Sequence, residues 1–186
     1  MIIGISGKSG SGKSSISRII EKELGFKWLE IDNYAKEIRE NHKDDILRLV
    51  DNHKIINSDK IDSKVLGNLL FDNEELMKEY NQFIYSKLKT AIDEDVKKYP
   101  FIIVDSLFLP IMEIFNKCDY KILVKSNDKL RIERLLNREN ITLEYLKKRE
   151  SYAPCYNESD FDLVLDNNGS LDIKGLIENI KKLKLK

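Results

Sequence analysis

Residues 7–14 read Gly-Lys-Ser-Gly-Ser-Gly-Lys-Ser and follow almost directly on the apolar run Ile2-Ile3-Gly4-Ile5. Gly, four residues, then Gly-Lys-Ser is the pattern of a phosphate-binding loop, which occurs between a strand and a helix. The glycines permit left-handed or crowded backbone conformations, so that successive amide N–H groups can point at phosphate oxygens. The alternative is a Gly/Ser-rich turn without a ligand. We expect a nucleotide site here.

The residues of this loop have separate expected roles. Gly7, Gly10 and Gly12 shape the backbone, and the helix predicted over 13–24 adds its N-terminal N–H groups and the positive end of its dipole. Lys13 is expected to reach the β- and γ-phosphates of the nucleotide, and the Ser14 hydroxyl to bind Mg²⁺. The motif therefore predicts an enzyme of phosphoryl transfer.

Composition narrows the class of protein. The 186 residues contain 32 Lys plus Arg and 32 Asp plus Glu, so no overall positive charge attracts nucleic acid. Two cysteines, Cys118 and Cys155, and an opening without a secretory or targeting segment indicate reduced thiols in the cytoplasm. No apolar run approaches the length of a membrane span. We expect a cytoplasmic, monomeric enzyme without nucleic-acid or membrane partners.

Apolar runs that predict strands alternate with helical patterns along the chain. Strands are predicted at 2–6, 26–31, 101–104, 121–124 and 163–165, and helices at 13–24, 33–52, 62–71, 74–98, 128–138, after Thr142 and at 171–185. This alternation predicts one α/β domain over 1–186, a parallel five-stranded sheet with helices on both faces. The domain is expected to be kinase-like, with a helical acceptor-binding insertion at 33–98 and a lid at 138–160.

Two aspartates follow predicted strands, at the sheet edge where ligands bind in such folds. Asp105 follows four apolar residues, as a Walker-B carboxylate does when it holds Mg²⁺ directly or through water. Asp32 closes the second predicted strand and could accept the proton of a hydroxyl that attacks the γ-phosphate. The alternative for each is a cap of the next turn or helix.

Three arginines, Arg131, Arg134 and Arg138, recur at helical spacing and therefore share a face. Guanidinium groups stabilise the charge of a transferring phosphoryl group, often from a segment that closes over the nucleotide. The alternative is a surface helix whose arginines pair with Glu133 and Glu139. The helical segment that follows favours a lid.

Segments from the first residue to position 169 match, in order, the pattern of one known family. They are Met1–Gly7 with Gly10–Ser14, Leu24-Gly25, Ile31-Asp32, Leu66–Asn73, Cys118-Asp119, Arg134–Arg138, Thr142, Arg149, Asp162 and Asp166–Gly169. On these residues the chain resembles the dephospho-coenzyme A kinases. The resemblance implies Mg²⁺-dependent transfer of the ATP γ-phosphate to the 3′-hydroxyl of dephospho-coenzyme A, the last step of coenzyme A biosynthesis.

Carried over residue by residue, the resemblance also implies individual roles. The ATP phosphates would bind at Gly10–Ser15, which adds Ser11 and Ser15 to the loop residues above. Asp32 would be the general base, Arg138 a lid arginine, and Asn167 an adenine-side contact. The catalytic residues expected on this basis are Asp32, Lys13 and Arg138.

Departures from the family pattern fall mostly on the acceptor side. In this chain Tyr34 stands where the family has a second aspartate, and Ser63 stands where it has an arginine. Tyr85-Ser86 replaces the family's His-Pro pair, Ile111 replaces a glutamate, and Ala153 replaces a glutamine. The chain is therefore either a divergent dephospho-coenzyme A kinase or a relative that phosphorylates another hydroxyl, such as a nucleoside or nucleoside monophosphate kinase.

A nucleotide-binding switch or regulatory NTPase is the alternative from another class. Asn116-Lys117-Cys118-Asp119 spells Asn-Lys-x-Asp, the guanine-reading motif of GTPases. In GTPases this motif follows a buried strand, whereas here it precedes the strand predicted at 121–124. The position argues against guanine reading.

Overall fold

The chain divides into two structural units, and the computed structural model describes residues 1–139, 141–169 and 171–184. The first unit comprises Met1–Glu30, Val96–Leu143 and Ala153–Lys186. The second comprises Ile31–Asp95 and Glu144–Tyr152.

Within the described residues, the strands are β1 (Ile2–Ser6), β2 (Lys27–Glu30), β3 (Ile56–Asn57), β4 (Lys60–Ile61), β5 (Ile102–Asp105), β6 (Tyr120–Lys125) and β7 (Leu163–Asp166). Five of them form a parallel sheet in the first unit, in the order β2-β5-β1-β6-β7. The predicted five-stranded parallel sheet is thus confirmed. Since β1 is its central strand, the loop after Ser6 leaves the sheet at the middle of its carboxyl edge.

The helices among the described residues are α1 (Lys13–Leu24), α2 (Ile31–Asn41), α3 (Lys43–Val50), α4 (Ser63–Phe71), α5 (Glu74–Lys98), α6 (Asp128–Glu139), α7 (Leu143–Ser151) and α8 (Ile173–Lys184). None of these helices combines the length with the apolar composition that crossing a lipid bilayer requires. The second unit contains α2 to α4, most of α5 and α7, and the antiparallel hairpin of β3 and β4.

The core of the first unit lies between the sheet and two helices. Ile3 and Ile5 of β1 pack in one cluster with Ile16 and Ile20 of α1 and with Ile180 of α8. All five side chains are almost completely buried. Burying one aliphatic side chain of this size contributes about 1.5–3 kcal/mol, so these contacts hold α1 firmly against the strand that leads into the loop.

Several predicted element bounds are wrong. The second strand ends at Glu30 and not at 31, because Glu30 pairs with Asp105, the last residue of its partner strand β5. The helix predicted over 33–52 is two helices separated at His42. The closing helix was predicted over 171–185; α8 begins at Ile173, and position 185 lies outside the described residues.

The hairpin of β3 and β4 was not predicted. Its two turn residues, Ser58 and Asp59, have φ angles of 50° and 64°. Two-residue turns of this kind are usually recognised by Asn-Gly or Asp-Gly. Because this turn contains no glycine, the sequence carried no clear hairpin signal.

Candidate active site

The loop between β1 and α1 has the backbone that its glycines predict. Gly12 has a φ of 103° and precedes α1, and the amides of Ser15 and Ile16 donate to its carbonyl oxygen at 3.2 Å each. Since glycine has no side chain to cap the helix, the amino end of α1 opens toward the loop. This is the arrangement in which helix N-termini bind anions.

The cation and the hydroxyl expected to bind the nucleotide lie in the first turn of α1. Lys13 Nζ is 3.4 Å from the carbonyl oxygen of Lys8, so its side chain folds back over the loop. Ser14 is half-buried, and Ser15 is exposed. Ser11 is buried, and its amide donates to Lys8 O at 3.2 Å. The loop is thus closed on itself by Lys8, which both Ser11 and Lys13 contact.

Asn167, at the end of β7, lies against the loop. Its Nδ2 donates to the carbonyl oxygen of Ser11 at 2.8 Å. A Cβ at Gly12 would collide with this same Nδ2, so the asparagine requires glycine there. The Oδ1 of the neighbouring Asn168 accepts from the amide of Asn127 at 2.7 Å. The segment after β7 therefore joins the loop to the start of α6.

The three arginines of α6 have three different environments. Arg131 is buried, with 2% of its surface exposed, and its Nε is 2.6 Å from Asp128 Oδ1. This hydrogen bond is the main reason that the pKa of Asp128 is below its ordinary value. Arg134 Nη1 is 3.5 Å from the carbonyl oxygen of Gly10. Arg138 is exposed and pairs with Glu139, the partner that the surface-helix alternative named.

Helix α6 approaches the loop closely at Gly10. A Cβ at this glycine would lie 2.7 Å from the carbonyl oxygen of Arg131 and 2.9 Å from Leu135 Cγ. The helix and the loop therefore pack backbone against backbone. Of the three arginines, Arg131 and Arg134 lie at this contact.

Asp105 ends β5, as predicted, and its carboxylate is buried with 3% of the residue exposed. Its backbone pairs with Ile5 of β1, beside the strand end that leads into the loop. The carboxylate oxygen Oδ2 accepts a hydrogen bond from Ser17 Oγ at 3.2 Å. Sequence reasoning missed Ser17, whose signal is a small polar residue on the apolar face of α1, one turn after Lys13.

Asp32 does not close a strand, which corrects the sequence-based expectation. It is exposed and lies in the first turn of α2, a helix of the second unit that begins at Ile31. Because the helix starts before it, Asp32 is not the N-cap either. A carboxylate in a first turn is favourable to the helix dipole. Its role as a base stays a prediction.

The positions that depart from the family pattern occupy varied environments. The Tyr34 hydroxyl donates a hydrogen bond to Asp95, and burial raises the pKa of the half-buried Tyr85. Ser63 is the first residue of α4, Ile111 is 61% exposed, and Ala153 follows the end of α7 by two residues. These departures therefore do not form one common structural feature.

Asp119, the last residue of the Asn-Lys-x-Asp segment, lies at the amino end of β1. Its Oδ2 accepts from the amide of Ile2 at 2.6 Å. The phosphate-binding loop follows the other end of this strand, roughly 13 Å away at about 3.3 Å per residue. The segment is thus on the sheet edge opposite the loop and cannot read a base beside it.

Three comparisons bear on this site. The family model described as "Dephospho-CoA kinase" matches residues 1–172. A dephospho-CoA kinase of Fusobacterium nucleatum subsp. nucleatum is 30% identical over 179 residues, which cover 92% of this chain and 92% of the relative.

Solved structures support the fold. A protein of Thermus thermophilus matches with a TM-score of 0.75 and 24% identity, over 100% of this chain and 96% of its own. A dephospho-CoA kinase from Campylobacter jejuni matches with a TM-score of 0.58 and 20% identity, over 97% of this chain and 95% of its own. At these identities the likeness concerns the fold alone.

Proposed function

The chain belongs to the dephospho-coenzyme A kinase family, and we propose that it transfers the γ-phosphate of ATP to the 3′-hydroxyl of dephospho-coenzyme A. The products are ADP and coenzyme A, so this is the last step of coenzyme A biosynthesis. The observation that carries the proposal is the family match over residues 1–172, which includes the complete phosphate-binding loop.

ATP is the co-substrate, and its phosphates would bind at the loop. The amides from Gly10 to Ser15 and the amino end of α1 would hold the phosphate oxygens. Lys13, which reaches back over the loop, would contact the β- and γ-phosphates. Asn167 would then act by holding the carbonyl of Ser11, next to the nucleotide.

We infer that Mg²⁺ binds with ATP, held by the Ser14 hydroxyl and the Asp105 carboxylate. The donor atoms fit this ion, because Mg²⁺ prefers oxygen ligands and in kinases is bound through one or two carboxylates plus the phosphates. Asp105 ends β5 beside the strand that leads into the loop. When bound, the ion would offset the charge on the β- and γ-phosphates.

Residues that follow β2 along the chain would supply the base and bind the acceptor. Asp32, an exposed carboxylate in the first turn of α2, would accept the proton of the 3′-hydroxyl as that oxygen attacks. Region 33–98 would bind the acceptor, and 138–160 would form the lid. Within the lid, Arg138 would leave its ion pair with Glu139 and bind the transferring phosphoryl group, whose negative charge it would stabilise. We also infer that the protein is a monomer, that it acts in the cytoplasm, and that it binds neither nucleic acid nor membranes.

An acceptor screen with γ-labelled ATP tests the function. Dephospho-coenzyme A is offered beside uridine, deoxynucleosides and nucleoside monophosphates, and the labelled product is identified by mass. We expect label on dephospho-coenzyme A at its 3′-oxygen, and GTP to compete weakly with ATP. Label on a nucleoside or a nucleoside monophosphate instead would contradict the proposal.

Two variants control the screen. Lys13→Ala removes a contact to the transferring group and should lower turnover at least about a hundredfold. Lys22→Ala removes an exposed lysine from the last turn of the same helix and should leave turnover near that of the parent protein. Turnover of Lys13→Ala within tenfold of the parent would count against the assigned loop.

A further inference from the structure

Ser17 and Asp105 form a buried polar pair between α1 and β5. Ser17 is 0% exposed and Asp105 is 3% exposed, and the distance from Oγ to Oδ2 is 3.2 Å. The serine Oγ is also 3.1 Å from the carbonyl oxygen of Lys13, one turn earlier in its own helix. The pair thus connects the residue at the end of a strand with the turn that carries Lys13.

The apolar surroundings of the two side chains favour a hydrogen bond between them. Ser17 lies among the buried aliphatic residues of α1, namely Ile16, Ile20 and Leu24. Polar side chains in such surroundings are costly unless they are hydrogen-bonded. Of the two acceptors near Ser17 Oγ, the Asp105 carboxylate would form the stronger hydrogen bond in its ionised form, which is the form that binds a metal ion. Ser17 is therefore best explained as a donor to Asp105.

The contact restricts the orientation of the carboxylate. The backbone at this point is already held, because Asp105 pairs with Ile5 and the amide of Ser106 donates to Ile5 O at 3.1 Å. With the backbone held by β1 and Oδ2 held by Ser17, the plane of the carboxylate cannot rotate freely. Such restraint of a ligand by a neighbouring hydrogen bond is how proteins orient metal ligands.

We propose that Ser17 is a positioning residue, which orients the Asp105 carboxylate toward the Mg²⁺ that accompanies ATP. The inference rests on the proposed function, in which Asp105 binds this ion. Ser17 itself, whose side chain is buried, would contact neither the nucleotide nor the metal. It acts through Asp105, and it joins that residue to the helix that begins at the phosphate-binding loop.

Equilibrium binding of ATP, measured by calorimetry with Mg²⁺ and with EDTA, tests the proposal. Ser17→Ala should bind metal-free ATP within about twofold of the parent protein, since the loop is unchanged. The gain in ATP affinity on adding Mg²⁺ should fall about tenfold, the usual effect of losing a hydrogen bond to a charged group. The Mg²⁺ concentration for half-maximal turnover should rise by a similar factor, and Ser17→Thr, which keeps the hydroxyl, should restore both.

Two further variants separate this role from a structural one. Asp105→Asn should lose the Mg²⁺-dependent gain, and adding Ser17→Ala to it should cause no further loss, because the two residues act as a unit. Ile20→Val is the matched control. It removes a buried methyl group from the same helix, α1, and should lower the melting temperature without changing the Mg²⁺ response.

Three outcomes would overturn the proposal. If Ser17→Ala weakens ATP binding equally with and without Mg²⁺, the hydroxyl is structural. If Ser17→Ala keeps the full Mg²⁺ response while Asp105→Asn loses it, the carboxylate needs no positioning. If both variants keep that response, Asp105 is not a metal ligand, and the proposed kinase activity, which the acceptor screen measures separately, stands without it.

Discussion

Asn167 and Gly12 illustrate how individual residues of this site depend on each other. The asparagine amide donates to the loop at Ser11 O and occupies the space that a Cβ at position 12 would need. Glycine at position 12 is therefore required twice, by its φ of 103° and by this neighbour. The loop motif specifies the glycine, but the packed asparagine is a separate, long-range reason for it.

The predicted base gives the clearest residue-scale experiment. Asp32→Asn preserves shape but removes the proton acceptor, so turnover with dephospho-coenzyme A should fall about 10²–10⁴-fold. The KM for ATP should change little, because the loop residues are untouched. Steady-state kinetics at saturating acceptor measure both quantities.

Glu178→Gln, which neutralises an exposed carboxylate on α8, is the control and should keep parental turnover. If Asp32→Asn keeps the parental turnover, Asp32 is not the base, and its role is limited to a favourable interaction with the dipole of α2.

At the scale of elements, a side-chain cap marks the start of α4 in the second unit. Asp62 Oδ1 accepts from the amides of Lys64 at 2.9 Å and Val65 at 3.1 Å, at the start of α4. These two hydrogen bonds lower the pKa of Asp62. A carboxylate whose pKa is lowered by folding stabilises the folded state above its unfolded pKa and loses this effect as the pH falls.

We therefore expect a pH-dependent cost for Asp62→Ala. The free energy of unfolding should fall by about 1 kcal/mol at pH 7, which is typical for loss of an N-cap. The difference from the parent protein should shrink as the pH drops below the ordinary pKa of 3.8 and through the lowered folded value. Urea unfolding at pH 7 and near pH 3 measures it.

Asp62→Asn is the matched control, since its amide oxygen caps without titrating. The free energy of unfolding of Asp62→Asn should exceed that of Asp62→Ala by a similar amount at pH 7 and at low pH. A constant difference between the parent protein and Asp62→Ala at both pH values would contradict the role of the charged cap.

Helix α7 lies within the segment 138–160 that is predicted as a lid, and its side chains contact α4 and the residue that follows it. Tyr152 stacks on Phe71 with ring centroids 5.3 Å apart, and its hydroxyl donates to the Phe71 carbonyl oxygen at 3.0 Å. Lys148 pairs with Asp72 at 2.8 Å. Most of α7 thus belongs to the second unit, whereas α6, with Arg138, belongs to the first.

For the molecule as a whole, the two cysteines differ in accessibility. Cys118 is partly buried and packed close to Gly4 of β1, where a Cβ would lie 2.8 Å from its Sγ. Burial raises the pKa of this thiol to about 12, whereas Cys155 is exposed. Because the thiolate is the reactive form, Cys118 should be protected as long as the sheet of the first unit is folded.

Thiol labelling should therefore distinguish the two cysteines. At pH 8 and under native conditions we expect a maleimide to modify Cys155 rapidly and Cys118 much more slowly. Mass spectrometry after timed quenching distinguishes one modification from two. The variant Cys155→Ser should lose the fast labelling phase and show only the slow one. Rapid labelling of Cys118 in folded protein would show that the sheet opens locally beside β1.

Local sequence patterns predicted much of the secondary structure and the position of the phosphate-binding loop. Apolar runs indicated each strand of the main sheet, and the order of residues 7–14 predicted the phosphate-binding loop, because strands and loops depend on neighbours along the chain. The same reasoning placed Asp105 at a strand end. It put Asp32 at one as well, wrongly, because the end of β2 depends on its partner β5.

Only tertiary packing decided which side chains meet. Ser17 and Asp105 are 88 positions apart, and Asn167 and Ser11 are 156 apart, so no spacing rule relates them. The helical spacing of Arg131, Arg134 and Arg138 correctly predicted that all three lie on one helix, but their environments differ. Arg131 is buried, Arg134 lies beside the loop, and Arg138 pairs with Glu139. Periodicity predicts which residues share a face, but contacts with distant segments determine what each of them touches.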